Sequence, residues 1–518
     1  MTFRIFVFFA LVFLACTSRE PPWADAHVTY DTTQALVDRW SLDVHTEGGP
    51  PWFYAHREGR KYGVFPLGNV VAMIPSYLAY KVMHQIESVP ERAIYAFTSH
   101  VSPALLMAGA MALLFHLLRK RGASLRWALL GTGATGLCTF CFIYARAPYS
   151  EALQTLLLLW LVERTLDQGE GVTPAGLGWL AMAGGLLLNS KLVYVLLLPF
   201  VAAYVIDRRR RAGDLDRLWR ALPLAMLVFA ELVAVALWHN HLKTGSLLDS
   251  GYQIKDGVFS GDLLAGLYGF FLSSGKSVFL YSPPLVLALF GVSTAWRRRR
   301  AETLFVLSMI AVTTLFNAKF RHWHADYCWG PRHLTALTPL AMLLVFPWLP
   351  EALARGRVRL RQCGLGLVLG LGLSVQLLGA AFYWDHYIRL LIAVKDQTGA
   401  PGWFQENLSH GHYIPEFSPL RGHVWMLRHW WHDDPDLDRD APWKTIHPLP
   451  ADLSDGWRRL RLDWWALDWT DAQGKRSLAG WIAIALLEGG AALTLLSIAR
   501  QSRRNNGNPA KITDSERT

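Results

Sequence analysis

Cysteine is scarce in this chain, and so are charged side chains. Only five cysteines occur in 518 residues, and each lies in or beside an apolar segment. This placement gives neither a disulfide framework nor the paired-cysteine pattern of a zinc domain. Cys138 and Cys141 have C-x-x-C spacing but fall inside an apparent membrane span, where small core residues are the better interpretation.

Charged residues make up 18% of the chain, whereas 52% of it is hydrophobic. The hydrophobic residues form separate runs that are long enough to cross a bilayer, so the sequence predicts an all-α polytopic membrane protein. The net charge of +11 does not indicate nucleic-acid binding. The basic residues form short clusters at the ends of apolar runs, where they act as topology signals.

The first apolar run, at 2–16, has two interpretations. It could be the core of a signal peptide, because its end, Phe13-Leu14-Ala15-Cys16, loosely resembles a lipoprotein cleavage site. Bulky Phe13 and Leu14 fit such a site poorly, and only Arg4 provides a positive charge before the run. We therefore predict a retained first helix.

The apolar runs together predict about twelve membrane spans. After the first helix, these are 94–118, 127–146, 150–166, 175–189, 192–206, 218–238, 278–296, 303–318, 334–350, 363–384 and 478–498. The segment 65–83 contains two prolines, Asn69 and Lys81, so we predict that it lies along the membrane surface.

The basic clusters support this count, because it places all of them on one side of the membrane. They are Arg119 to Arg121, Arg208 to Arg211, Arg297 to Arg300, the arginines between 355 and 361, and those between 500 and 504. The positive-inside rule assigns that side to the cytoplasm, together with both termini. A thirteenth span at 65–83 would put every later cluster outside.

The outer segments are then 17–92, about 240–276, 319–333 and 385–477. We divide the chain into a catalytic module at 1–350 that includes the first outer loop, a further span at 351–384, a Trp-rich outer loop at 385–477, and a last span with a basic tail at 478–518. The loop tryptophans are Trp403, Trp425, Trp430, Trp431, Trp443, Trp457, Trp464, Trp465 and Trp469. We interpret them as membrane-interface anchors in preference to sugar-stacking platforms.

Polar side chains from distant segments share the predicted outer face, while the middles of the spans are nearly free of the ionisable groups that a pump needs. They are Asp25, His27, Asp31, Arg60, Lys61, Arg146, Tyr149, Glu151, Lys191, Lys276, Asp326, Arg332 and His333. Such cations could hold a lipid phosphate, and a carboxylate could accept a proton from an attacking hydroxyl. Alternatively, each cation extends to the interface alone, and Arg332 merely pairs with Asp326.

Six stretches of the sequence, taken in order, resemble the GT-C superfamily of polytopic glycosyltransferases. The similarity is greatest to bacterial members that resemble aminoarabinose and protein mannosyl transferases. The stretches are WADAHVTYDTTQALVDRWSLDV (23–44), REGRKYGVFPLGNVVAMIPSYLAY (57–80), IYARAPYSEALQTLLLLW (143–160), LLLNSKLVYVLLLP (186–199), LSSGKSVFLYSPPLVLALFG (272–291) and WHADYCWGPRHLTALTPLAML (323–343). The family's acidic pair in the first loop is here Asp25-Ala26, with Asp31 further along.

The resemblance implies an inverting transfer, on the outer face, from a sugar on a polyprenyl phosphate. It implies that Asp25 is the base that deprotonates the acceptor, with Asp31 as the alternative. The implied donor-phosphate residues are Lys61, Lys191, Lys276 and Arg332. The implied substrate pocket contains His27, Arg60, Tyr62, Arg146, Tyr149, Glu151, Tyr281, Asp326 and His333.

Several properties stay open at this point. The acceptor could be a lipid, a glycan or a protein, and the sugar is undetermined. No cofactor is implied, but a divalent metal near His322, His324, Asp326 and His333 remains an alternative. We expect a monomer in a bacterial inner membrane. The rival functions are a lipid or oligosaccharide flippase or transporter, an oligosaccharide ligase or polymerase, and a scaffold without enzymatic activity.

Overall fold

The computed structural model describes residues 1–45, 51–252, 257, 259–325, 328–354, 358–389, 391, 409–432, 460–471 and 474–507. Across them the chain is mainly helical, as the sequence predicts. The α-helices are α1 (Thr2–Ala15), α2 (Asp25–Arg39), α3 (Leu67–Ala72), α4 (Ile74–Met83), α5 (Glu91–Ser99), α6 (Val101–Lys120), α7 (Leu125–Cys138), α8 (Cys141–Ala145), α9 (Glu151–Glu170), α10 (Pro174–Ser190), α11 (Leu198–Ala212), α12 (Leu215–Thr244), α13 (Leu263–Leu272), α14 (Val278–Tyr281), α15 (Val286–Arg298), α16 (Arg300–Lys319), α17 (Thr338–Val345), α18 (Leu349–Ala354), α19 (Val358–Ala381), α20 (Ser409–Tyr413), α21 (Pro419–His432) and α22 (Leu478–Gly507).

Five stretches of helix within the described residues are long and apolar enough to cross a membrane. They are Glu91–Lys120, Leu215–Thr244, Arg300–Lys319, Arg359–Ala381 and Leu478–Arg503. The second, fourth and fifth leave most of their apolar side chains uncovered by protein, as expected for helices that contact lipid. The chain is therefore a multi-pass membrane protein, and these five stretches overlap five of the predicted spans.

Several predicted spans are interrupted in the structure. The run at 127–146 divides into α7 and α8, and the run at 192–206 begins as a 3₁₀ helix, Leu192–Leu197, before α11. The run at 334–350 divides similarly between a 3₁₀ helix, Arg332–Leu337, and two short α-helices. Prolines stand in the first turns of α11 and α17. Because proline has no N–H to donate to a preceding turn, it fits the start of an α-helix better than its interior.

One short hairpin departs from the all-α prediction. Strands β1 (Tyr54–Arg57) and β2 (Arg60–Gly63) pair antiparallel, and Glu58 and Gly59 between them both have positive φ, as two-residue hairpin turns require. The guanidinium of Arg57 donates to the carbonyl of His241 near the end of α12. The hairpin therefore packs against the C-terminal end of α12.

The first helix, α1, packs against α6 and α22. Its Phe9 and Phe13 are fully buried in the main hydrophobic core. At the start of this helix, Arg4 donates to Gln501 near the end of α22 at 2.7 Å. The beginning of the first helix and the end of the last one therefore lie together.

Two basic clusters from distant segments also meet at one end of the bundle, because Arg121 and Arg299 both donate to Glu302. Arg121, at the end of α6, donates to Glu170 at 2.8 Å and to Glu302 at 3.1 Å. Helix α9 runs from Glu151 to Glu170, about 30 Å at 1.5 Å per residue. We call the end that contains Arg121 the basic end, and Glu151 lies one helix length away from it.

The Trp-rich loop is described only in part, and Trp403, Trp443 and Trp457 lie outside the described residues. Trp465 and Trp469 are buried, with ring centroids 4.9 Å and 5.3 Å from that of Phe97. For these two residues the prediction of interface anchoring is wrong, because their rings are enclosed by protein. Trp431, in α21, is exposed.

Candidate functional site

The candidate site is built around Arg332, directly after the Gly330-Pro331 turn. Gly330 has a φ of +63°, and a Cβ there would lie 2.9 Å from the Tyr281 side chain, so the turn requires glycine. Pro331 then precedes the 3₁₀ helix Arg332–Leu337. This local geometry fixes the backbone from which the Arg332 side chain extends.

The guanidinium of Arg332 bridges two carboxylates from distant parts of the chain. Its Nε donates to Glu151 Oε1 at 2.8 Å, and its Nη2 donates to Asp25 Oδ2. Its carbon atom lies 4.1 Å from the centroid of the Tyr149 ring, in cation–π geometry. Residues from the first, middle and later parts of the chain therefore form one cluster.

Both carboxylates occupy the first turns of helices. Asp25 begins α2 and Glu151 begins α9, where unpaired N–H groups and the helix dipole favour negative charge. Ala24, just before Asp25, has a φ of +53°, a conformation that is strained for a residue with a side chain. The chain therefore accepts backbone strain directly beside one of the two acids.

A second cation, Lys191, lies beside this cluster in the junction between α10 and the 3₁₀ helix that follows. Its Nζ is 3.2 Å from His333 Nδ1, and His333 Nε2 is 3.3 Å from the carbonyl oxygen of His322. Burial lowers the pKa of Lys191 to about 8, and burial also holds the pKa of His333 well below its usual value. A neutral His333 can accept from Lys191 at Nδ1 while it donates from Nε2 to His322.

A pocket opens on the Asp25 side of the cluster. Its walls come from α2, α3, α6, the turn before α9 and the first turn of α9. It is lined by Asp25, Ala26, Thr29, Phe65, Asn69, Ala72, Met73, Pro103, Leu106, Pro148, Tyr149, Ser150 and Leu153. We call this space the Asp25 pocket.

Four of the predicted site residues lie in α2 beyond Asp25 or in the hairpin strand β2. They are His27, Asp31, Arg60 and Lys61. His27 and Asp31 pair with each other at 3.2 Å. The ammonium of Lys61 lies over the Tyr54 ring, and Arg60 is exposed. None of these four is among the residues that line the Asp25 pocket. Their predicted contacts with substrate remain predictions.

Tyr62 and Tyr281 are both buried, the former in the hairpin and the latter against Trp329, with ring centroids 5.0 Å apart. The buried Lys276 ammonium donates to the carbonyl of Cys328 at 3.1 Å. Asp326, the alternative partner of Arg332, lies outside the described residues.

The Arg146 guanidinium, which we predicted to shape the substrate pocket, is committed to protein groups. It donates to the carbonyls of Cys16, Ala380 and Asp463, and to the Asp463 carboxylate at 3.2 Å. The residue is fully buried. These contacts favour a role in joining three distant segments over one in binding substrate.

Sequence reasoning missed Asp463, the acidic partner in this junction. Its Oδ1 accepts from the Ser18 hydroxyl at 2.6 Å and from the Arg19 amide at 3.0 Å. The residue lies 317 positions from Arg146 in the Trp-rich loop. Its neighbours there form no recognisable motif, so the sequence offered no signal for the pairing.

A metal site is not evident where the structure can be described. Among those residues no three or more His, Cys, Asp or Glu side chains are grouped to hold an ion. His322, His324 and His333 are described, but Asp326 is not.

No protein-family model and no curated protein matches the chain. Among solved structures, the chain is similar to ArnT from Cupriavidus metallidurans bound to undecaprenyl phosphate, with a TM-score of 0.49, 13% identity, and coverage of 95% of this chain and 76% of that one. It is also similar to the oligosaccharyltransferase AglB from Archaeoglobus fulgidus in complex with an inhibitory peptide and a dolichol-phosphate, with a TM-score of 0.38, 11% identity, and coverage of 87% and 60%. At such low similarity, we infer function from the chain's own residues.

Proposed function

We propose that this chain is a GT-C-type membrane glycosyltransferase that moves a sugar from a polyprenyl phosphate to an acceptor hydroxyl. The observation that supports this most is the bridge from Arg332 to Asp25 and Glu151. A purely structural role does not explain why an acid beside a strained residue and two cations lie next to an open pocket. A transferase that acts on a lipid phosphate needs both kinds of group.

In this proposal, Asp25 is the general base. It takes the proton from the acceptor hydroxyl, whose oxygen forms a bond to the anomeric carbon as the bond from that carbon to the phosphate oxygen breaks. The electron pair of the breaking bond stays on the phosphate, whose charge becomes more negative. Arg332 and Lys191 offset that charge, and attack from the side opposite the phosphate inverts the anomeric configuration.

In this proposal, Arg332 and Asp25 form their ion pair before the donor binds. A phosphate competes well for a guanidinium, because its oxygens match the two parallel N–H groups. If a phosphate oxygen replaces Asp25 as the acceptor of the hydrogen bond from Nη2, the Asp25 carboxylate is released to accept a proton. Glu151 and the Tyr149 ring then keep the guanidinium plane in position.

The site lies one length of α9 away from the basic end. The positive-inside rule assigns the basic end to the cytoplasm, so the proposed reaction takes place on the outer, periplasmic face of a bacterial inner membrane. Of the four residues that we predicted to bind the donor phosphate, this proposal assigns that role to Arg332 and Lys191. Lys276 would have to leave the Cys328 carbonyl to take part.

The test compares Asp25→Asn with Asp31→Asn in proteoliposomes that contain the full chain. Binding of undecaprenyl phosphate and transfer from a panel of undecaprenyl-phosphate sugars are measured separately. We expect Asp25→Asn to abolish transfer while it retains phosphate binding, and Asp31→Asn to keep both. Turnover in Asp25→Asn with loss in Asp31→Asn would assign the base to Asp31. A wild-type chain that does not bind undecaprenyl phosphate would refute the proposed function.

A further inference from the structure

Helix α22 carries a carboxylate in the middle of a membrane span. The stretch Leu478–Arg503 is long and apolar enough to cross a bilayer, and Glu488 is its eleventh residue. Glu488 is exposed at the surface of the protein. Within the described part of the chain, no residue forms a hydrogen bond or an ion pair with its carboxylate. Because a charge in hydrocarbon is costly, acids within spans almost always pair with another group. The chain itself provides no such group here among the described residues.

The position of Glu488 along α22 keeps it away from both surfaces of the membrane. The hydrocarbon core is about 30 Å thick, which corresponds to about 20 helical residues. A core of that length that ends before Arg500 begins no later than residue 480. Glu488 then lies about 12 Å or more from either edge of the core, at 1.5 Å per residue. This is farther than a glutamate side chain extends, so its carboxylate cannot reach the headgroups.

The surface around Glu488 consists of small residues. Ala485, Gly489 and Ala492 are exposed, one turn before it, directly beside it and one turn after it. A Cβ at Gly489 would meet no other atom of the protein within 4 Å. Small side chains allow the backbone of a neighbouring membrane helix to approach closely. We call the surface formed by these three residues and Glu488 the Glu488 face.

A second carboxylate provides a comparison within the same chain. Glu231 lies in the middle of α12 and is also exposed. Its exposed neighbours on that side of the helix are larger, and they are Leu227, Val235 and Trp238. A second helix is therefore kept farther from Glu231 than from Glu488.

We infer that the Glu488 face binds a membrane-spanning helix of another protein, and that this helix carries an arginine or lysine at the depth of Glu488. The small residues admit its backbone, and its cation pairs with the carboxylate. A second copy of this chain cannot supply that cation from its five spanning stretches. Neither Lys nor Arg occurs in 93–118, 221–240, 301–318, 362–381 or 478–499. The inference is independent of the proposed function, because no residue of α22 lines the Asp25 pocket.

The test uses a synthetic leucine–alanine helix of about 24 residues with one central arginine as the probe. The matched peptide has leucine in place of the arginine, and both carry a diazirine beside the central residue. The full chain is reconstituted with each peptide in lipid nanodiscs and illuminated, and labelled positions are mapped by mass spectrometry. We expect the arginine peptide to label α22 about tenfold more than the leucine peptide, the ratio that one polar contact between membrane helices can produce.

Three variants refine the test. Glu488→Gln should reduce labelling by the arginine peptide to the level of the leucine peptide. Gly489→Leu should also reduce it, because the larger side chain keeps the peptide away. Gly370→Leu in α19 is the matched control, since Gly370 is exposed and a Cβ there also meets no atom within 4 Å. This variant should label as the wild type does.

Four results would overturn the inference. They are equal labelling by the two peptides, an arginine preference that persists in Glu488→Gln, stronger labelling of α12 at Glu231 than of α22, and self-association of the full chain that Glu488→Gln abolishes. The last result, measured by single-molecule subunit counting in liposomes, would assign the face to a second copy. Undecaprenyl phosphate binding is measured in parallel and should be unchanged in every variant, so failure of the proposed function is distinguishable.

Discussion

Substituting Arg332 with glutamine tests whether the guanidinium holds the two acids together. The Glu151 side chain is 4% exposed and that of Asp25 is 21% exposed, so removal of the shared cation leaves at least one carboxylate charged, enclosed and unpaired. Removing one partner of a buried pair costs about 3–5 kcal/mol. The partial exposure of Asp25 places our expectation for Arg332→Gln at the lower end of that range.

A second substitution distinguishes this electrostatic cost from general damage. In the double variant Arg332→Gln with Glu151→Gln, no enclosed charge remains at Glu151, so about 2 kcal/mol of the lost stability should return. Donor-phosphate binding should not return, because the cation is still absent. Arg60→Gln, at an exposed arginine of the hairpin, serves as the control and should change stability by less than about 0.5 kcal/mol.

The assay is a denaturant titration of the detergent-solubilised chain, followed by near-ultraviolet circular dichroism and repeated for each variant. Undecaprenyl phosphate binding is measured on the same preparations. Two results would refute the view that Arg332 neutralises two enclosed acids. One is an Arg332→Gln variant with the same free energy of unfolding as the wild type, and the other is a double variant no more stable than the single one.

Two further predictions concern the surroundings of this cluster. Because burial lowers the pKa of Lys191 to about 8, undecaprenyl phosphate binding should weaken as the pH rises through about 8, where the amine loses its charge. Lys191→Arg should move that loss to higher pH, and an unchanged pH profile would show that Lys191 does not hold phosphate. Asp463→Asn should lower the free energy of unfolding by about 1–3 kcal/mol, because Ser18, Arg19 and Arg146 all donate to this residue. Phosphate binding should be unaffected, and a variant as stable as the wild type would contradict a role in joining these segments.

The topology predicted from the sequence placed the residues at the centre of the site on the same face of the membrane. Asp25, Glu151 and Arg332 each stand at the same end of an apolar run when the basic clusters are placed on the other side. That argument needs only hydropathy and charge, which are local properties. In the structure the Arg332 guanidinium donates to both Asp25 and Glu151.

The same reasoning could not show which way a side chain points around a helix or turn. Lys276 also stands at the predicted outer face, yet its ammonium is directed to the Cys328 carbonyl. The pairing of Arg146 with Asp463 depends on the path of a long loop, which local sequence does not determine. The interruptions of the spans were hidden because apolar residues continue across the junction of α7 with α8.

The most direct test of the account is a structure of the full chain with undecaprenyl phosphate bound, solved by electron cryomicroscopy. We predict that the phosphate contacts Arg332 and Lys191, and that Asp25 is released from the guanidinium and faces its pocket. A phosphate bound at the basic end beside Arg121, with Arg332 and Asp25 still paired, would contradict the account.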